Sequence, residues 1–325
     1  MPKFKIIPYR THNHGSFEEE WLLHKGCSEW WYATGYLEDE SKNLYSFQYT
    51  LIRARVGLLH PYILMLALTD FKNEKHYYCK KLTMSRKDLQ VDENTAGFGN
   101  SALAEKRKDG IRCTGQSSDF SYDLLLGYGK GAVWHCDKGV LQMGIPGKKE
   151  TTFYYTWPNM PTTGTITFGG KTLNVTGKSW FDRQGGTYHI ANKECHWEWF
   201  SLRFFDDEEI MLFSFPQDDY RDGTYILKDG SYTRLNKYSV EPLEFVYPEG
   251  LKFSGSWNVN IPGVKDEKYT IKPLLKGQLN LVYFELLAGI YREDGMQVGL
   301  CFVELLPGVY NDSFGKLKNL MSQTE

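Results

Sequence analysis

The strongest constraint on this chain is rhythm. Its apolar residues come in short runs that alternate with a period of two, and each run is closed by glycine or by a polar turn. Residues 44–53 (LYSFQYTLIR) set Tyr45, Phe47 and Tyr49 on one face of a strand. Residues 60–69 (HPYILMLALT) are almost continuously apolar and short enough for a strand buried on both sides. The same rhythm returns at 120–127, 133–143, 209–215, 283–290 and 298–305, with polar hairpin turns at 39–43, 206–209, 228–230 and 262–267 and a further turn at Asn159-Met160-Pro161. Aromatics make up 15% of the chain and glycines number 31, a combination that favours twisted sheets with tight turns over helical bundles. The expectation is an all-β protein.

Three stretches depart from this pattern. Residues 17–23 (FEEEWLL) predict a short helical turn, and 312–321 a short amphipathic helix. Residues 80–110 are polar with few apolar anchors, which predicts a long connection carrying one short helix. At 325 residues the chain has room for two domains, although no internal sequence repeat is visible beyond two strand-rich halves.

Several function classes fall away. A formal charge of −2 from well-mixed acids and bases leaves no electrostatic footprint for nucleic acid. The opening MPKFKIIPYRTHNHG has no apolar signal core, and no run reaches membrane-spanning length. Six scattered cysteines form no CxxC and no zinc spacing, so no metal is expected, and a reducing, cytoplasmic setting is. No GxSxG, HExxH, Walker loop or dinucleotide fingerprint occurs, which leaves chemistry without a cofactor, or binding alone.

The chemistry-bearing pattern is an acid or phenol two residues from a tryptophan or tyrosine. In GKSWFDRQGG, residues 177–186, an extended backbone makes Trp180 and Asp182 project together while Phe181 points away. Tyr155 pairs in the same way with Trp157, Glu29 with Trp31, and Tyr283 with Glu285. Tyr155, Trp157, Trp180 and Asp182 end two neighbouring strand segments, so a suitable register brings all four together around an apolar cavity. Desolvation there keeps a carboxyl protonated as a proton donor, and aromatic faces stabilise a cationic intermediate. Glu29 lies on a strand with aromatics on both faces. It must be paired to an arginine such as Arg53 or Arg55, protonated, or lining a wet cavity.

The segments EWWYATGYL, FYYTWP…GTITFGG, GKSWFDRQGG, WEWFSLRFFDDEEIMLFSF and YFELLAGIYREDGMQVGLCFVEL, in this order, resemble the carotenoid 1,2-hydratase and AttH-like family, which includes kievitone hydratase and fungal Diels–Alderases. The resemblance implies two tandem lipocalin-like β-barrel or sandwich domains packed side by side, residues 1–190 and 191–325, with a ligand pocket in or near their junction. It also implies a cofactor-independent enzyme that hydrates, isomerises or cyclises a hydrophobic unsaturated molecule of isoprenoid or polyketide type. Asp182 matches the family's proton donor and Trp157 the tryptophan of its His-x-Trp motif. Tyr155 stands where that motif has histidine, and Trp180 where the Tyr-x-Asp motif has tyrosine. Asp182 and Tyr155 are thus the expected catalytic pair, with Trp157, Trp180, Glu29, Trp31, Tyr283 and Glu285 around the substrate. The alternative is a lipocalin-like carrier of hydrophobic ligands without catalysis.

Overall fold

A computed structural model describes residues 5–11, 14, 16–143, 150–188, 197–276, 278–280 and 283–306. The helix expected at 312–321 lies outside these. The described residues are nearly all strand and fall into two compact units, one ending by Tyr188 and the other starting at Trp197. No helix among them is long and apolar enough to cross a membrane.

In the first unit, Lys75–Thr83, Tyr62–Asp70, Leu44–Arg53 and Ser28–Asp39 form an antiparallel meander. The long hairpin Thr151–Phe168/Lys171–Gly186 then adds beside Ser28–Asp39, and Phe120–Gly127, Gly110–Gln116 and three short strands follow. The sheet curls on itself, and the Tyr49 and Tyr122 hydroxyls donate across the interior to the carbonyls of Ala96 (2.6 Å) and Gln48 (2.8 Å). One face of the sheet encloses a continuous apolar core that includes Trp31, Phe47, Leu66, Leu124, Tyr155 and Phe181. The short helix Phe17–Glu20, capped by the Ser16 hydroxyl, leads Trp21 and Leu23 into that core.

The second unit repeats this plan. Tyr232–Leu235, Tyr220–Ile226, Glu209–Phe215 and Trp197–Phe204 form the meander, and the hairpin Tyr283–Arg292/Gln297–Leu306 adds beside Trp197–Phe204. Lys268–Pro273, Phe253–Asn260 and Ser239–Val246 complete the sheet around a core of Phe200, Leu212, Trp257, Leu286 and Val303. The repetition is one of topology, carried by different residues.

Two expectations need correction. Residues 80–110 do not form a loop with a helix: beyond a 3₁₀ turn at Arg86–Asp88 they hold the strands Leu89–Val91, Thr95–Phe98 and Ala102–Lys106. Their inward residues include Ala96, Ala102 and Ala104, whose small side chains mask the alternation. The stretch Asn159-Met160-Pro161 is not a turn but a bulge within one continuous strand, where the register slips between Trp157 and Met160 and Asn159 takes φ +49°.

Candidate functional site

Register decides which side chains meet, because a slip of one residue turns a side chain to the opposite face. Asp182 pairs with Thr156 on one side and Tyr32 on the other, whereas Tyr155 pairs with Arg183 and Trp157 with Phe181. Directly paired residues share a face. Asp182 and Trp180 therefore lie on one side of the sheet, with Tyr154, and Tyr155 and Trp157 lie on the other, in the core.

On the Asp182 face the contacts are short. The Trp180 indole donates from Nε1 to Asp182 Oδ1 at 2.6 Å, and the Tyr154 hydroxyl donates to Oδ2 at 3.0 Å. Asp182 is buried at 4% exposure. The two donated bonds favour the carboxylate while burial favours the acid. A phenol can donate or accept, so Tyr154 supports both states: it donates to the carboxylate and accepts from the carboxylic acid. The His135 ring lies 4.3 Å from the Tyr154 ring and stacks on Trp180 at 6.0 Å with 14° between planes. His135 is fully buried, which pushes its pKa down to about 3 and leaves the imidazole neutral.

The core face binds something else: the chain's own N-terminal segment. Tyr155 donates its hydroxyl to the Phe17 carbonyl at 2.9 Å, Phe17 packs on Tyr155 and Trp157, and Trp21 stacks on Phe181 at 5.5 Å. Arg183 lies over the Trp31 ring, 4.0 Å from its centroid, and donates to the carbonyls of Trp21 (3.3 Å) and Leu22 (2.6 Å). It also donates to Glu29 at 2.6 Å, where Arg53 adds a bond of 3.0 Å and His24 one of 3.1 Å. Burial alone would raise the pKa of Glu29, but Arg183, His24 and Arg53 outweigh it and hold the carboxyl down to about 2. Glu29 is thus an ionised structural anchor paired to Arg53, the first of the alternatives open in the sequence. Gly185 belongs to the same arrangement, since a Cβ there would sit 2.4 Å from that of Glu29. Tyr155, Trp157, Glu29 and Trp31 are therefore not brought to Asp182.

Tyr283 and Glu285 lie in the second unit, on the sheet face turned away from that unit's core. Glu285 pairs across the hairpin with Glu304 and accepts from Asn280 Nδ2 at 2.9 Å. Glu304 accepts from the Trp197 indole at 2.8 Å, and Trp197 lies 6.2 Å from the Tyr283 ring. An indole bonded to a carboxylate of the last strand thus occurs in both units.

Sequence reasoning missed two members of the Asp182 cluster. Tyr154 adjoins the tyrosine it favoured, and only register separates them. His135 sits between the two short strands Val133–Trp134 and Val140–Gln142 and carries no motif.

The sequence model of the AttH-like family matches residues 9–308. The chain belongs to the AttH-like family. Among solved structures, this AttH-like chain is similar to a Nitrosomonas europaea protein assigned to AttH, at 21% identity and a TM-score of 0.82, over 93% of this chain and 99% of that one. It is also similar to kievitone hydratase from Nectria haematococca, at 16% identity and a TM-score of 0.70, over 86% and 88% of the two chains. A third likeness is to CghA, solved with Sch210972, at 8% identity and a TM-score of 0.53, over 93% and 94%. Among curated proteins, no sequence matches. At these identities the structural likeness is one of fold, and the AttH-like chain shares its tandem lipocalin-like all-β architecture.

Proposed function

We propose that this AttH-like protein is an enzyme that acts without a cofactor on an unsaturated, largely apolar molecule, and that Asp182 is its proton donor. The observation that carries this reading is the buried carboxyl of Asp182, fixed by Trp180 and Tyr154 and seated among aromatic rings. The protonated carboxyl transfers its proton to an alkene carbon, and the cation that forms is stabilised by the Trp180 π-face. Tyr154 turns from acceptor to donor as the carboxylate appears. Addition of water to the cation, with return of one water proton to Asp182, gives a hydrated product and restores the acid. Attack by a second double bond of the same molecule, followed by proton loss to Asp182, gives a ring.

The test is incubation with a panel of isoprenoid and polyketide polyenes in deuterated water, read by mass spectrometry. Wild type is expected to incorporate deuterium or to change the mass of its substrate. Asp182→Asn should abolish this and keep equilibrium binding. Tyr154→Phe should slow turnover about 10²-fold, the usual scale for loss of a group in proton transfer. Turnover that survives in Asp182→Asn rejects the acid role. Ligands that bind and return unchanged from wild type establish the carrier instead.

A further inference from the structure

The imidazole of His135 is an unspent polar group. Its ring is fully buried, and among the described residues neither nitrogen has a hydrogen-bond partner. Buried polar atoms are normally satisfied, and one left open costs stability, so each exception calls for an explanation. Among the described residues the ring is held by packing, against Tyr154 at 4.3 Å and Trp180 at 6.0 Å. Those are the two residues that bond Asp182. Burial keeps the ring uncharged, so it offers one N–H donor and one bare nitrogen acceptor. A pure hydrocarbon satisfies neither. A hydroxyl satisfies either one, and a carbonyl oxygen satisfies the donor.

From the stacking of His135 on Tyr154 and Trp180 and its two unpartnered nitrogens, we infer that His135 is a specificity-determining residue that selects ligands bearing a hydroxyl or carbonyl oxygen. The substrate class is thereby an oxygenated unsaturated molecule, its oxygen at His135 and its double bond at Asp182. This rests on the reading that the Asp182 face receives an apolar ligand, but not on turnover. Sites built to bond a hydroxyl reject the analogue that lacks it far more strongly than apolar pockets reject a missing methylene.

Equilibrium binding, followed by tryptophan fluorescence, tests this with three matched pairs: farnesol and farnesene, 2-naphthol and naphthalene, 4-hydroxystilbene and stilbene. Wild type should prefer the alcohol by about tenfold in at least one pair, the scale of one buried hydrogen bond. His135→Phe, which keeps a ring for stacking and loses both nitrogens, should bring that pair to parity with a melting temperature equal to or above wild type. Asp182→Asn should keep the preference, so a failure of the catalytic reading is distinguishable from a failure of this one. A preference absent from every wild-type pair, or surviving in His135→Phe, overturns the inference and leaves a trapped water as the partner of the ring. Failure of both His135→Phe and His135→Leu to fold makes the imidazole structural and overturns it as well.

Discussion

Glu29 and Glu198 occupy the same place in two copies of one topology and have opposite surroundings. Each is the second residue of the strand that joins its unit's meander to its last hairpin, Ser28–Asp39 in one unit and Trp197–Phe204 in the other. Glu29 faces Arg53 and Gly185 across its ladder, with Arg183 and His24 close by. Glu198 faces Ser214 and Leu305 and accepts one bond, from the Ser254 hydroxyl at 2.5 Å. Burial pushes its pKa up to about 7, only partly offset by that bond. A buried carboxyl is thus an anchor or a burden according to the cations folded around it, and the fold alone decides neither.

The same substitution at both places should sharpen the contrast, with effects of opposite sign. Glu29→Leu strands Arg53 and Arg183 in the core and should cost the first unit about 3–5 kcal/mol, the usual penalty for breaking a buried ion pair on one side. Hydrogen exchange resolved by peptide would show it as lost protection within residues 16–188. Glu198→Leu removes a carboxyl that is desolvated with no cation paired to it among the described residues, and at pH 8 should raise the stability of the second unit by about 1–3 kcal/mol. A loss at Glu198 of the same size as at Glu29 would break the comparison.

Acidity offers a second handle. The pKa of Glu29 falls on folding, so its contribution is full above pH 4.5 and is lost as the pH drops towards about 2. That of Glu198 rises on folding, so its folded state is favoured below pH 4.5 and the advantage is lost as the pH climbs to about 7. Exchange protection, corrected for intrinsic rates, should therefore grow in the second unit between pH 7 and 4.5 and fall in the first below 4.5. Parallel profiles in the two units would contradict this. The smallest effect belongs to Ser254→Ala, about 1.5 kcal/mol for one hydrogen bond to the carboxylate, visible at pH 8 together with a further rise in the midpoint of Glu198.

Much of the fold was legible because strand residues with large side chains alternate visibly: Leu44–Arg53 ends where the sequence pattern places it. Where the inward residues are alanines, as in Ala102–Lys106, the alternation is too weak to see. Within one strand, the shared face of Trp180 and Asp182 follows from spacing alone, and their hydrogen bond is its result. Between strands, spacing is silent. Whether Tyr154 or Tyr155 meets Asp182 depends on a register that hairpin geometry sets, and the Pro158-Asn159 signal reads equally as a turn or a bulge. His135 was invisible because its significance lies in what its nitrogens lack, which only packing reveals.

The bulge at Asn159 inverts odd and even along its strand. Before it Phe153, Tyr155 and Trp157 point into the core, and beyond it Met160 and Ile166 do. Keep that residue but let the strand run on from the hairpin end without the bulge, and the adjoining tyrosines change faces: Tyr155 falls opposite Gln184, on the Asp182 side, and Tyr154 opposite Gly185, in the core. Trp157 then leaves the core too, so a chemically near-silent exchange of phenols would arrive with a hole where an indole had been. The spare residue works as a reading frame in space, selecting which of two identical side chains meets the buried carboxyl of Asp182 and which the Phe17 carbonyl.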